Sequence, residues 1–278
     1  MKTLLIVFRI FMLQSISQVS SSNSQKKSTH FSKSKILRNF SLASSSYNKV
    51  AQVQEEAAHR MEMYLPFTHG KVLELGCGTG ILSQKLLKKY NSEQLQISDL
   101  SMNMLHECRK SLNDDKLEYL LLDAEKLKVE NEYEVIVSNF VVQWFEDLQG
   151  SLLRLFRALK LGGSLLFSCP IDGSFPQWKN ACSQAALPFT AHPLPKVHDI
   201  LQVFSEIAST CHYEIYEFHT KHVGPLEFLR SLKSLGAGAT TCHKTGGVSL
   251  RRLLKAWRQD KNGQVQVTYK TLFFHVKK

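Results

Sequence analysis

The sequence predicts an α/β fold in which a mostly parallel sheet is flanked by helices. Three observations carry that prediction. From about Lys71 onward, short apolar runs alternate with longer segments whose apolar residues recur every three or four positions, the pattern of successive βαβ units. Three glycines, Gly76, Gly78 and Gly80, fall directly between the first apolar run and the first helical segment, where a doubly wound sheet turns toward its ligand. Polar residues able to bind, namely Asp99, Asp123 and Asn139, stand at the ends of later runs, on the carboxyl edge where such sheets take ligands.

The elements follow in order. Val72-Leu73-Glu74-Leu75 reads as the first strand, and Ile81, Leu82, Leu86 and Leu87 give the next helix its apolar stripe. Residues 95–98 read as the second strand, after which Ser101 caps a helix with Met104, Leu105, Cys108 and Leu112 on one face. Residues 117–122 and 133–138 supply the third and fourth strands. A helix carrying Leu148, Leu152, Leu155, Phe156 and Leu159 runs to Leu161-Gly162-Gly163, whose glycines are expected to stop it and release a fifth strand over 164–168. After Cys169-Pro170 the rhythm breaks: Pro176, Pro188, Pro193 and Pro195 crowd an aromatic, irregular stretch. An insertion of this kind, 171–210, reads as a substrate lid or a surface loop. Residues 213–218 and 265–274 then read as the sixth and seventh strands, 226–235 and 250–257 as helices.

Net charge is +11, but its distribution matters more than its sum. Residues 1–54 hold eight Lys or Arg and no acid, residues 55–220 hold 15 basic and 22 acidic side chains, and residues 221–278 hold 12 basic side chains against Glu227 and Asp260. The body is acidic and both ends are basic, which argues against a nucleic-acid binder and leaves the C-terminal basic region as either a solvated face or a surface for an acidic partner. Six cysteines, Cys77, Cys108, Cys169, Cys182, Cys211 and Cys242, form no C-x-x-C pair, so neither a disulfide framework nor a structural metal is expected. Residues 1–34 read as a disordered basic arm. Arg9 breaks the apolar stretch Thr3 to Leu13, which is too short for a membrane span. A transit peptide or a secretory signal are the alternatives for this acid-free, Ser-rich segment.

The chemistry gathers at the strand ends. Glycines at 76, 78 and 80 allow a tight turn and close approach of a ligand to the backbone. Their G-x-G-x-G spacing differs from the G-x-G-x-x-G of a pyrophosphate loop, and Glu74 two residues earlier would repel a phosphate but not a cation. Asp99 is placed to accept a ribose diol or, alternatively, to cap the helix that follows. Asp123 could meet an adenine amino group or form a turn, and Asn139 could serve the ligand or an Asx turn.

These residues resemble the class I S-adenosylmethionine-dependent methyltransferase pattern: Val72 to Gly80, Ile97 to Leu105, Asp123-Ala124-Glu125, and Leu159 to Gly163. Outer segments, among them Tyr47-Asn48-Lys49-Val50-Ala51, Val142-Gln143-Trp144-Phe145, Leu232-Lys233-Ser234-Leu235-Gly236 and Val267-Thr268-Tyr269-Lys270, are similar to the malonyl-[acyl-carrier protein] O-methyltransferase family of biotin synthesis. The likeness runs from about Lys35 to Lys278; Lys270 stands where the family usually has Glu.

The resemblance implies a Rossmann-like seven-stranded sheet with an antiparallel last strand, in a methyltransferase domain over 35–278 whose N-terminal lid region spans 35–66. It implies S-adenosyl-L-methionine held by Tyr47, Glu74, Gly76, Cys77, Gly78, Gly80, Asp99, Leu100, Met104, Asp123, Ala124 and Asn139. Tyr47 could equally be a packing residue. For the substrate it implies Gln143 and Trp144, the latter as readily core as pocket, and Arg251 and Arg252, as readily solvated as docking. The reaction would methylate the free carboxylate of malonyl-acyl carrier protein or malonyl-CoA. That carboxylate is ionised near neutral pH, so no catalytic acid or base is assigned and no metal is expected. A cytoplasmic monomer without nucleic-acid partner or membrane span follows. Alternatives are another small carboxylic acid as acceptor, a mitochondrial complex I assembly factor of the same fold that hydroxylates arginine, or a non-catalytic carrier-binding module.

Overall fold

The computed structural model describes residues 33–237 and 247–278; nearly all of the 1–34 arm, and Cys242, lie outside the described residues. Seven strands, β1 (Val72–Leu75), β2 (Leu95–Asp99), β3 (Glu118–Leu121), β4 (Tyr133–Asn139), β5 (Leu159–Pro170), β6 (Thr210–His222) and β7 (Val265–Lys277), form one sheet in the order β3-β2-β1-β4-β5-β7-β6. Strands β1 to β5 are parallel, and β7 enters antiparallel between β5 and β6. The expected fold, including the reversed last strand, is the one observed.

Period-two alternation divides the core into two layers. Val72, Val135, Val137, Val267 and Phe273 face one side, against Ala57 and Met61 of α2 (Gln52–Met61), Leu105 and Cys108 of α4 (Met102–Leu112), and Trp178, Phe228 and Trp257. Leu73, Leu75, Ile136, Leu165, Phe167 and Phe274 face the other, against Leu152 and Leu155 of α5 (Leu148–Ala158) and against Ile200 and Phe204. Burial on both faces is what leaves β1 without an alternating pattern, every position including Glu74 being buried.

Three expectations are corrected. Helix α5 ends at Ala158, and Leu159 already belongs to β5, so the fifth strand is 12 residues long and Gly162 and Gly163 lie inside it. A register irregularity between Tyr133 and Val135 accommodates them: Gly162 adopts φ +78°, and a Cβ on Gly163 would lie 2.8 Å from the Lys160 carbonyl oxygen. The glycines thus form a bulge rather than a helix stop. The 171–210 insertion is not irregular throughout. It contains α6 (Pro176–Gln184), which starts on a proline, and α7 (Val197–Phe204). Finally, β6 runs 13 residues rather than six because it pairs along the whole of β7, while most of its side chains stay exposed and hide the alternation. By contrast the helix after the glycines is short, α3 (Ser83–Leu86), with Leu82 and Leu86 buried as the stripe implies.

Two further helices, α8 (Pro225–Ser234) and α9 (Gly247–Ala256), pack over the β7 side, and α1 (Lys33–Ala43) crosses the carboxyl edge of the sheet. None of the described helices is long and apolar enough to cross a membrane.

Candidate functional site

The carboxyl ends of β1, β2 and β4, with the turn after β3, surround a cleft of about 120 Å³ bordered by Gly76, Gly78, Asp99, Asp123 and Asn139. All three glycines of the loop have positive φ: +64° at Gly76, +55° at Gly78 and +95° at Gly80. Their reasons differ. A Cβ on Gly76 would stand 2.3 Å from Val141 Cγ2, and one on Gly80 would meet Cys108 Sγ at 3.2 Å, whereas one on Gly78 meets no protein atom within 4 Å. Gly76 and Gly80 are needed for packing, and Gly78 opens the loop backbone toward the cleft.

Three of the loop's N–H groups are committed to the protein. Cys77 N–H donates to the Ser98 carbonyl at 2.9 Å, Gly80 N–H to the Cys77 carbonyl at 3.0 Å, and Gly78 N–H to Asp99 Oδ2 at 2.9 Å. A phosphate cradle needs such donors free, and these three are not. Asp99 also accepts from Ser101 N–H at 2.7 Å through Oδ1. Burial pushes its carboxyl up to about 6, against the downward pull of the Ser101, Gly78 and Leu100 amides. Asp99 therefore remains a mostly ionised acceptor at neutral pH, with lone pairs left for hydroxyl donors. Ser101 is the N-cap of α4, its Oγ accepting from Met104 N–H at 3.3 Å, as its position foretold.

Glu74, Cys77 and Gly80 do not border the cleft. Glu74 is buried with its Oε2 accepting from Ser83 Oγ at 2.6 Å. Burial pushes its carboxyl up to about 8, opposed by the Ser83 bond and reinforced by the Asp99 charge. It is therefore mostly neutral at pH 7 and ties the loop to α3, which corrects the expectation that it presents a negative charge. Cys77 packs against Cys108, and burial raises its thiol well above the usual value.

The remaining expected cofactor residues, Tyr47, Leu100, Met104, Asp123, Ala124 and Asn139, line the cleft. Asn139 is nevertheless engaged at both ends: Nδ2 donates to the Gln54 carbonyl at 2.9 Å, and Oδ1 accepts from Ser168 Oγ at 2.5 Å. Its side chain ties α2 to the sheet. Asp123 caps a short 3-10 turn through Glu125 N–H at 3.1 Å. Its Oδ1 also accepts from Lys33 Nζ at 2.5 Å. Helix α1 roofs the cleft with Lys33, Ile36, Leu37 and Phe40, a stripe at helical spacing. Thr79 Oγ1 donates to Asn48 Oδ1, fastening the segment of Tyr47 onto the glycine loop. Burial and the Asp99 charge raise the Tyr47 phenol above its usual value.

Phe40, Tyr47, Phe140 and Trp144 separate this cleft from a second cavity of about 850 Å³. Trp144 stacks on His192 at 4.7 Å and meets Phe40 edge-on at 5.5 Å, so it belongs to the wall. Gln143 lines the large cavity and holds the Phe140 carbonyl through Nε2 at 2.7 Å. Arg251 and Arg252 are exposed and off the cavity wall, which α9 forms with Ser249, Leu250 and Leu253; Arg252 donates to the Ala185 carbonyl instead. The cations that do line it, Lys35, Arg230 and Lys233, were not singled out from the sequence. The three-residue step from Arg230 to Lys233, interleaved with Phe228 and Leu232, was the available signal. Among the described residues no group of three or more His, Cys, Asp or Glu is gathered to hold a metal.

The family described as "Methyltransferase domain" matches residues 73–167. The chain is similar to the malonyl-[acyl-carrier protein] O-methyltransferase of Magnetococcus marinus, 32% identical over 237 residues that cover 82% of this chain and 86% of that one. It is also similar to a biotin biosynthesis bifunctional protein of Bordetella avium, 32% identical, covering 73% of this chain and 44% of that one. Among solved structures it resembles phosphoethanolamine N-methyltransferase 2 of Haemonchus contortus in complex with S-adenosyl-L-methionine, with a TM-score of 0.53 and 18% identity over 86% of this chain and 57% of that one.

Proposed function

The chain belongs to the malonyl-[acyl-carrier protein] O-methyltransferase family, and from that premise we propose that it methylates the free carboxylate of a malonyl thioester, starting pimeloyl formation for biotin. The observation that carries the reading is the shared wall. Phe40, Tyr47, Phe140 and Trp144 border both the cleft with the ribose-type acceptor Asp99 and a cavity large enough for an acyl chain.

The cleft suits a cationic nucleoside. Asp99, Asp123 and Glu125 bring carboxylates to it, and the Cys77, Gly78 and Gly80 amides are engaged within the protein. S-adenosyl-L-methionine would supply an electrophilic methyl group on a sulfonium. Asp99 would accept the ribose hydroxyls, Leu100 and Met104 would pack the base, and Tyr47 would close over the methionine end. On the acceptor side the carboxylate arrives ionised, so the protein needs no general base. What its residues do is align: holding acceptor oxygen and methyl carbon in reach can supply roughly 7–11 kcal/mol of barrier lowering. Arg230 and Lys233, cations on the cavity wall, would attract the acidic substrate or its carrier. A methyl ester then removes the charge that disfavours apolar pockets downstream.

We assign residues 35–66 as the cofactor lid and 171–210 as the substrate lid of one domain over 35–278, working as a cytoplasmic monomer. The deciding assay is radiolabelled methyl transfer to malonyl-acyl carrier protein, malonyl-CoA and a panel of free carboxylic acids. Transfer to the malonyl thioesters and to none of the free acids is expected; transfer to a free acid alone refutes the reading. Complementation of a biotin auxotroph that lacks this step, with and without residues 1–34, tests the pathway and the arm together.

A further inference from the structure

We propose that Lys33 is a gate on the cofactor cleft, holding α1 shut by occupying the carboxylate that an adenine amino group would use. The proposal rests on the cofactor reading above. Lys33 Nζ lies 2.5 Å from Asp123 Oδ1 and 2.6 Å from Glu125 Oε2, and its backbone N–H donates to Glu146 Oε1 at 3.0 Å. One residue thus fastens the first turn of α1 to the loop beyond β3 and to the turn beyond β4. The other end of α1 is held more lightly, by Ser41 Oγ on Ser101 Oγ at 2.8 Å and by Asn103 Nδ2 on the Ser41 carbonyl at 3.2 Å.

Two geometric facts give the bridge its consequence. Beneath α1 the cleft measures about 120 Å³, below the roughly 300–1,000 Å³ typical of ligand sites. A nucleoside therefore needs the cleft to widen, and a swing of α1, which roofs it, would supply the room. The cleft face of α1 is otherwise apolar, Ile36, Leu37 and Phe40, so on that face the charged contact a swing would break is at Lys33. Its side chain is 26% exposed and its partners 14% and 9%, so salt reaches the pairs through the ammonium group and weakens them, though less than it would a fully exposed pair. Asp123 Oδ1 is shared between Lys33 and the Glu125 amide, so a second donor arriving there competes with the ammonium group.

The test is stopped-flow binding of S-adenosylhomocysteine to the protein as a function of ionic strength, following intrinsic tryptophan fluorescence; Trp144 borders the cleft. For the wild type the association rate constant should rise with salt. In Lys33→Gln it should be about fivefold faster at low salt, the scale of two partly exposed ion pairs, and nearly independent of salt. Lys33→Arg, which keeps the charge, should restore wild-type behaviour, an outcome that loss of helix structure alone would not give. A wild-type rate that falls or stays flat with salt, or a Gln variant no faster than the wild type, overturns the gate. Failure of the wild type to bind S-adenosylhomocysteine at all would instead overturn the cofactor reading.

Discussion

Replacing Gly78 by Ala separates two roles a glycine can have. Its φ of +55° is a left-handed conformation that costs an L-residue about 1–2 kcal/mol. The added methyl meets no protein atom within 4 Å, so no packing cost is added. For a domain of this size that corresponds to a fall in melting temperature of about 2–8 °C. Because Gly78 borders the cleft, the same methyl should obstruct the nucleoside and weaken S-adenosylhomocysteine binding at least about tenfold, close to 1.4 kcal/mol. Gly76→Ala should behave oppositely in proportion. Its methyl would lie 2.3 Å from Val141 Cγ2 and 3.2 Å from Cγ1, adding about 1–3 kcal/mol of overpacking to the backbone strain. Val141→Ala in the same chain should recover the packing part only. Thermal melts and titration calorimetry on the set give both quantities. If Gly78→Ala melts as expected yet binds S-adenosylhomocysteine like the wild type, the cofactor does not lie against this loop.

In its proposed role as ribose acceptor Asp99 binds hydroxyl donors more strongly ionised than protonated, and burial holds its carboxyl up at about 6. Calorimetric affinity for S-adenosylhomocysteine should be pH-independent above about 7, fall toward tenfold per unit well below 6, and lose this dependence in Asp99→Asn. Glu74, raised to about 8 in the folded state from an ordinary 4.5, keeps a proton that the unfolded chain releases. Folding stability therefore declines as pH rises from about 4.5 to 8; urea midpoints of wild type and Glu74→Gln should diverge across that window and run parallel outside it. Arg230→Glu with Lys233→Glu should raise KM for carrier-linked substrate, most at low ionic strength, and leave S-adenosylhomocysteine binding intact. Arg251→Glu with Arg252→Glu, off the cavity wall, should change KM less.

Strands β1, β2 and β4 were legible because they are largely buried on both faces and run into a residue that does something visible, Gly76, Asp99 and Asn139. The Ser101 cap was legible for the same local reason, a side-chain oxygen placed three residues before the amide it accepts. What the chain order could not reveal was which face a side chain takes. Glu74 sits one residue from Leu75, yet it turns to Ser83 in the core and loses its charge there. Arg251 and Arg252 are adjacent to Leu250 and Leu253, but those apolar neighbours take the cavity face. Lys33 could not be paired with Asp123, 90 positions away, by any periodicity. Gly162 and Gly163 looked like helix punctuation because a bulge and a helix stop ask for the same residue; only the pairing of Leu159 with Tyr133 distinguishes them.

The interior position of β7 has a consequence for biogenesis. The nascent chain delivers β6 to the ribosome exit before β7, yet in the sheet β6 touches its neighbours only through β7. During that interval β6 displays two open ladders together with Tyr213, Ile215 and Tyr216, an invitation to pair with other chains. Slow translation between residues 223 and 264 would prolong the hazard, and chaperone capture of this one hairpin-less strand would be the cell's natural remedy.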